Sequence, residues 1–393
     1  MVRILFAVAD VVKLGVGVGL CVSSAWAGLT LTSPVEYQVV QRSSRAGGVV
    51  QLEGVLTGVA GSSVVIKARL SAPEETAEWR TLAARVTSNS FTAALEAPAG
   101  GWRRLEVRAL DGETLVGEAV VDHVGVGEVF VVAGQSNSAN HGEEKQKPTT
   151  GRVATFDGTT WRLADDPQPG ASGEGGSFLP PFGDALVERF NVPVGIVSCG
   201  VGATSVREWL PEGSKFPHPP TLEGNVRPAP GGGWESTGRI FRSFVARLKS
   251  LSPSGFRAVL WHQGESDANQ KDPVRTLPGP LYREHLEMLI VESRRVIGRK
   301  APWFVAQVSY HVPGDEASPD IRAAQASLWK DGLAEEGPDS DALTGEMREA
   351  GGQGVHFSGT GLRAHAARWV EKVAPWLDDQ LSVSSGAPQK GRS

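Results

Sequence analysis

Four short blocks of this sequence carry side chains suited to acyl chemistry. The first is Gly134-Gln135-Ser136-Asn137, directly behind the apolar run Val129-Phe-Val-Val-Ala133. A serine just past a buried strand is exposed on a rigid support, and the preceding glycine tolerates the tight turn, so Ser136 stands where a nucleophile would be placed. The pattern is not the Gly-x-Ser-x-Gly elbow, because position 138 is Ser. Taken alone, Gly-x-Ser-Asn also describes an ordinary turn. The second block, Val197-Ser-Cys-Gly-Val-Gly-Ala-Thr204, is a strand followed by glycines. Glycine N–H groups can reach an oxyanion unobstructed, and they form plain turns equally well.

The third block, Ala258-Val-Leu-Trp-His-Gln-Gly-Glu-Ser-Asp267, ends an apolar run in polar residues around one glycine. Gln263 offers an amide donor, and Glu265 offers a carboxylate able to orient an imidazole. So many hydrogen-bonding groups at a strand's end are costly to bury without partners, which favours a site. The fourth block, Gly351-Gly-Gln-Gly-Val-His-Phe-Ser-Gly-Thr-Gly-Leu362, holds His356 on a glycine-rich loop. Imidazole is the usual general base near neutral pH. His262 and His365 read as structural. Cys199 ends an apolar run and reads as a small buried side chain rather than a nucleophile.

The elements that must position these blocks fall into two regions of a 393-residue chain, a length that exceeds one typical domain. Residues 28–126 alternate with period two, as in Val50 and Leu52 against Gln51 and Glu53, or Leu105, Val107 and Ala109 against Glu106 and Arg108. Short alternating runs between Gly-rich turns predict a small antiparallel, Ig-like β-sandwich. It holds no catalytic cluster. Residues 127–377 change rhythm: continuous apolar runs at Val129–Ala133, Val194–Cys199, Ala258–Trp261 and Trp303–Val308 alternate with helical stretches. That pattern predicts a three-layer α/β/α domain on a parallel sheet, with ligands bound at the carboxyl ends of the strands. Helical spacing joins Ile240, Phe241, Phe244, Val245 and Leu248, then Leu286, Leu289, Ile290 and Ile297, and a last helix is expected from about Gly361 to Leu377. Two irregular segments, about Asn140 to Gly176 and Pro211 to Trp234, are long enough that shaping a site would justify them. The polar tail 378–393 is expected to be disordered.

Residues 1–27 read as a cleavable export signal, with Arg3 and Lys13 early, an apolar stretch Leu14 to Val22 and Ala25-Trp26-Ala27 before the cut. A retained anchor is the competing reading, but the stretch is shorter than the ~20 residues a span needs. A secreted or periplasmic protein beginning near Gly28 follows. Cleavage removes Arg3, Lys13 and Asp10, a net +1, and takes the charge from −5 to about −6. Such a chain gives no reason to expect a nucleic-acid partner or stable membrane insertion. Cys21 lies in the signal, so Cys199 alone remains and no internal disulfide is possible.

Taken in order, GQSN, GVGATSVREW, WHQGESD and GVHFSGTG resemble the SGNH (GDSL-like) hydrolase superfamily, and within it the sialate O-acetylesterase and acetylxylan esterase group. The resemblance covers about Gly127 to Trp376. It implies Ser136 as nucleophile and His356 as base, with an oxyanion hole made by the backbone N–H groups of Ser136 and Gly202 and the side chain of Gln263. It also implies an acetylated carbohydrate as substrate and release of acetate through an acyl-enzyme. The superfamily places an Asp three residues before its histidine; here that position is Gln353, which cannot stabilise an imidazolium by charge. Either Glu265 supplies the carboxylate, the favoured reading, or the site is a weakened dyad or inactive. No metal or organic cofactor is called for, since the histidines lack His-Glu-x-x-His or Cys-rich spacing. The rival from another class is a non-catalytic carbohydrate-binding protein that kept the pocket, with Trp209, Trp234 and Trp261 as candidate sugar platforms. An esterase for non-sugar esters is a third reading. The sequence leaves the oligomeric state open.

Overall fold

The structure is a computed structural model that describes residues 28–58, 63–75, 77–87 and 89–383. The expected signal at residues 1–27 lies outside the described residues. The chain is a mixed α/β protein with an eleven-stranded sheet, a four-stranded sheet and a small three-stranded sheet.

The run Val129–Ala133 is the end of one long strand, Thr114–Gly134. Its last turn of sequence is apolar at every position, as a strand covered on both faces requires. Parallel to it lie Val194–Ser198 on one side and Ala258–His262 on the other. The order across this part of the sheet is Trp161–Leu163, Val153–Phe156, Val194–Ser198, Thr114–Gly134, Ala258–His262, Trp303–Gln307 and Glu335–Asp339, of which only Trp161–Leu163 runs antiparallel to its neighbour.

Alternation along the strands sends side chains to two separate cores. Val129, Val131, Ala133, Val259, Trp261 and Trp303 pack with α2 (Arg239–Ser250), α3 (Gly279–Ile297) and α4 (Pro319–Lys330), which follow α1 (Leu179–Phe190) in the chain. Phe130, Val132, Leu260 and Phe304 pack with α1 and with α6 (Gly359–Val383), after the one-turn α5 (Glu349–Gly352). The helices thus cover opposite faces of the sheet, and the strand ends are left free to carry loops. α6 extends past Leu377 to Val383, so the first residues of the expected tail are helical.

Before this region, Gly47–Thr57 and Ser90–Pro98 pair antiparallel in the four-stranded sheet, and Val64–Ser71 pairs with Gly100–Asp111 in the large one. Val50, Leu52, Phe91 and Leu95 from the first meet Ile66, Ala68, Leu105 and Val107 from the second in a third core. The division expected at Val126 falls inside the continuous strand Thr114–Gly134, which pairs antiparallel with Gly100–Asp111 in its first half. Glu128, fully buried at that point, is neutralised by Arg42 at 2.7 Å and Arg257 at 2.6 Å. The segment Pro211 to Trp234, expected to be irregular, contributes to a small sheet of Lys215–Phe216, Val226–Pro228 and Trp234–Ser236.

Candidate active site

Every block singled out in the sequence ends up at the carboxyl edge of the parallel strands. Ser136 follows the central strand through Gly134, whose φ of +133° and lack of a side chain are both required: a Cβ there would lie 2.0 Å from the His262 carbonyl oxygen. Ser136 opens a single 3-10 turn, Ser136–Ser138, closed by the Ser138 N–H and hydroxyl on the Gln135 carbonyl. Ser136, Gly202, Glu265 and His356 line one cavity of about 590 Å³, with His141, Ser172, Ser266, Gln270 and His311.

The carboxylate that reaches His356 is Glu349. Its Oε1 lies 2.8 Å from the imidazole Nδ1, within ion-pair distance, and accepts from the His356 backbone N–H at 3.0 Å, while the Glu349 N–H donates to the His356 carbonyl at 2.9 Å. A carboxylate beside Nδ1 favours the proton on that nitrogen and leaves Nε2 as the basic one. A sharp turn makes this possible, because Ala350 (φ +51°) and Gly351 (φ +65°) are left-handed and fold the chain back within seven residues. Gly354 completes it, since a Cβ there would fall 2.2 Å from Glu349 Cγ. Gln353, at the position where an acid was missing, ends the short α5.

Glu265, the carboxylate expected beside His356, makes no ion pair or hydrogen bond with that ring among the described residues. It is 3% exposed, and its Oε1 accepts from Asn137 Nδ2 at 3.0 Å, an amide that also donates to the Val355 carbonyl at 3.1 Å. Asn137 so ties the Ser136 turn to the strand end holding Glu265 and to the loop holding His356. Burial raises the Glu265 carboxyl to about 7, which keeps it largely protonated in mildly acidic solution.

Gln263, expected in the oxyanion hole, is turned toward other protein acceptors. Its side chain is fully buried, and Nε2 is directed at Asp267 Oδ2 (2.8 Å), the Thr204 carbonyl (3.1 Å) and Gln135 Oε1 (3.3 Å). An amide nitrogen has two hydrogens, so these acceptors leave none for a substrate. The buried Asp267 draws Gln263 away: it also accepts from the Ser205 hydroxyl (2.5 Å), the Val206 N–H (2.8 Å) and Arg207 (3.2 Å), binding the second and third blocks together. Gly202 does lie in the cavity wall, but its N–H donates to Ser172 Oγ at 2.6 Å.

Two groups had no clear signal in the sequence. His141 lies in the loop after Ser136, 5.3 Å from His356 between ring centroids, and burial and then that neighbouring imidazole lower its pKa. Ser172 comes from the long segment Asn140 to Gly176 and shares a 3.0 Å hydrogen bond with His141 Nε2. The expectation for His262 is met: it is buried, hydrogen-bonded to Ser340 at 2.9 Å, and pushed down to about 3 by burial. Trp209 and Trp261 are fully buried and cannot stack on a sugar.

Residues 126–373 match the family model described as carbohydrate esterase, sialic acid-specific acetylesterase. Among solved structures, the chain resembles XAC1771, described as a novel carbohydrate acetylesterase from Xanthomonas citri, at 18% identity and a TM-score of 0.53 over 87% of this chain and 73% of that one. It also aligns with NanS at 16% identity and a TM-score of 0.41, over 64% of this chain and 98% of that one. No curated protein sequence matches the chain.

Proposed function

Since the chain belongs to the carbohydrate esterase, sialic acid-specific acetylesterase family, we propose that it removes O-acetyl groups from carbohydrates, of the sialate or acetylxylan type, through a serine acyl-enzyme. Ser136 Oγ attacks the acetyl carbon and passes its proton to His356 Nε2. The imidazolium, held by Glu349, returns that proton to the departing sugar oxygen. Water then attacks the acyl-enzyme with His356 again as base, releasing acetate and restoring the Ser136 hydroxyl. No metal or organic cofactor enters these steps.

The observation that carries this reading is the ordered line from Glu349 through His356 Nδ1 at 2.8 Å, in a cavity whose wall also holds Ser136. The same line weakens the reading as a pocket-keeping binding protein, which drew its support from Gln353. We further read residues 127–377 as a three-layer SGNH-type esterase domain preceded by a β-sandwich at 28–126, and the protein as exported with cleavage before Gly28. Among the described residues no helix is long and apolar enough to cross a membrane.

Purified Ser136→Ala tests the assignment: 4-nitrophenyl acetate and acetylated glycans should be left intact by a variant that melts like the parent. Undiminished acetate release by that variant would refute it.

A further inference from the structure

An oxyanion hole needs donors that are free in the resting site and fixed in place before the charge develops. Gly202 offers one N–H in the cavity, and that N–H is taken by Ser172 Oγ at 2.6 Å. Whatever meets the carbonyl oxygen on this side of the cavity meets the Ser172 hydroxyl. Resting on the esterase reading above, we propose that Ser172 is a further catalytic residue, whose hydroxyl donates a hydrogen bond to the acetyl oxygen while Gly202 N–H and His141 Nε2 hold it in position.

A serine hydroxyl has one proton and two lone pairs. Gly202 N–H occupies one lone pair, and His141 Nε2 stands 3.0 Å from the same oxygen. With the proton of His141 on Nε2, both lone pairs are filled, and the Ser172 proton is left for a group inside the cavity that Ser172 lines. A hydroxyl that accepts in this way is polarised and donates more strongly.

The support is rigid. Ser172 N–H donates to the Gly200 carbonyl at 3.0 Å and its carbonyl accepts from Asn140 N–H at 3.0 Å, so its backbone bridges the nucleophile's loop and the glycine turn. His141 is packed onto that turn: a Cβ on Gly202 would lie 2.7 Å from His141 Nε2. Preorganisation of this kind is what a donor to a developing charge requires. It also gives the long segment before Gly176 a task.

Ser172→Ala in the full chain decides the matter, because the two meanings of the contact differ in sign. A donor lost should lower kcat on 4-nitrophenyl acetate by roughly 100-fold to 1000-fold with KM within about 3-fold. Ser172→Thr, which keeps the hydroxyl, should stay within about 10-fold of the parent. If the hydroxyl only covers the Gly202 N–H, Ser172→Ala will match or exceed the parent, and the proposal is overturned; a rise in KM alone overturns it too. Should the Ala variant melt early, Ser172→Cys, similar in size but a poor donor, gives the same reading. His141→Ala should lower kcat by roughly 10-fold, the worth of one hydrogen bond, and His141→Gln should restore it. A parent enzyme that cleaves no acetate ester and is not labelled at Ser136 by a fluorophosphonate would remove the esterase reading itself, a result distinct from any difference among the Ser172 variants.

Discussion

Replacing Glu349 with Gln preserves an oxygen acceptor for the His356 backbone N–H and removes the charge beside Nδ1. On the proposed mechanism, the imidazolium formed when Ser136 gives up its proton is then no longer stabilised by a carboxylate. Two unit charges about 4 Å apart attract by roughly 4 kcal/mol at an effective dielectric of about 20. The Glu349 and His356 side chains are 27% and 23% exposed, so water screens part of this. A loss of about 1.5 to 3 kcal/mol in the transition state remains, which lowers kcat by roughly 10-fold to 150-fold. Initial rates on 4-nitrophenyl acetate at saturating ester, with acetate release from an acetylated glycan as a second readout, measure it. KM should change little, since the charge forms only after binding. The parallel variant Glu265→Gln should stay within about 5-fold of the parent, because a Gln oxygen can still accept from Asn137 and Glu265 makes no hydrogen bond to the ring. If Glu265→Gln loses activity by orders of magnitude while Glu349→Gln keeps it, the assignment of the orienting acid is wrong.

Further expectations concern the buried polar groups. Glu265, raised to about 7 from an ordinary value near 4.5, binds its proton more tightly folded than unfolded. Its contribution to stability is full below the unfolded value and is lost as pH rises from about 4.5 through 7. Glu265→Gln, neutral throughout, should therefore gain in Tm relative to the parent between pH 5 and 8, and a Tm difference that stays flat with pH would contradict this. Gln263→Ala leaves Asp267 and the Thr204 carbonyl short of a donor, so we expect a loss of about 1 to 3 kcal/mol in stability by denaturant melts. A fall of 100-fold in kcat with unchanged stability would instead restore Gln263 to the oxyanion hole.

The strands were legible because their residues are buried on both faces. Val129–Ala133 and Ala258–Trp261 are apolar at every position, and no other local pattern competes for such runs. The strand Glu335–Asp339 was not legible: it lies at the sheet's edge, where Glu335 and Glu336 face water and carry no apolar signal. That Ser136 and His356 would stand at one cavity was readable from their glycine-rich surroundings. Glu349 was not, because its reach depends on two left-handed residues, Ala350 and Gly351, that bring a position seven residues upstream onto the ring. Gln263 misled because a sequence does not say which acceptor claims an amide, and the buried Asp267 claims this one at 2.8 Å. Ser172 and His141 lie in a segment without periodicity, so only the folded backbone brings them to Gly202.

The strand Thr114–Gly134 belongs to three cores at once, with Val121, Val124 and Val126 in one and Val129 through Ala133 alternating between the other two. Melting the N-terminal sheets would strip the first half of that rod of its partners and leave the Glu128 carboxylate without Arg42. The peptide that bears Ser136 would then hang from a frayed end. The front half thus acts as a splint for the strand that carries Ser136, and weakening it is expected to loosen the site behind it.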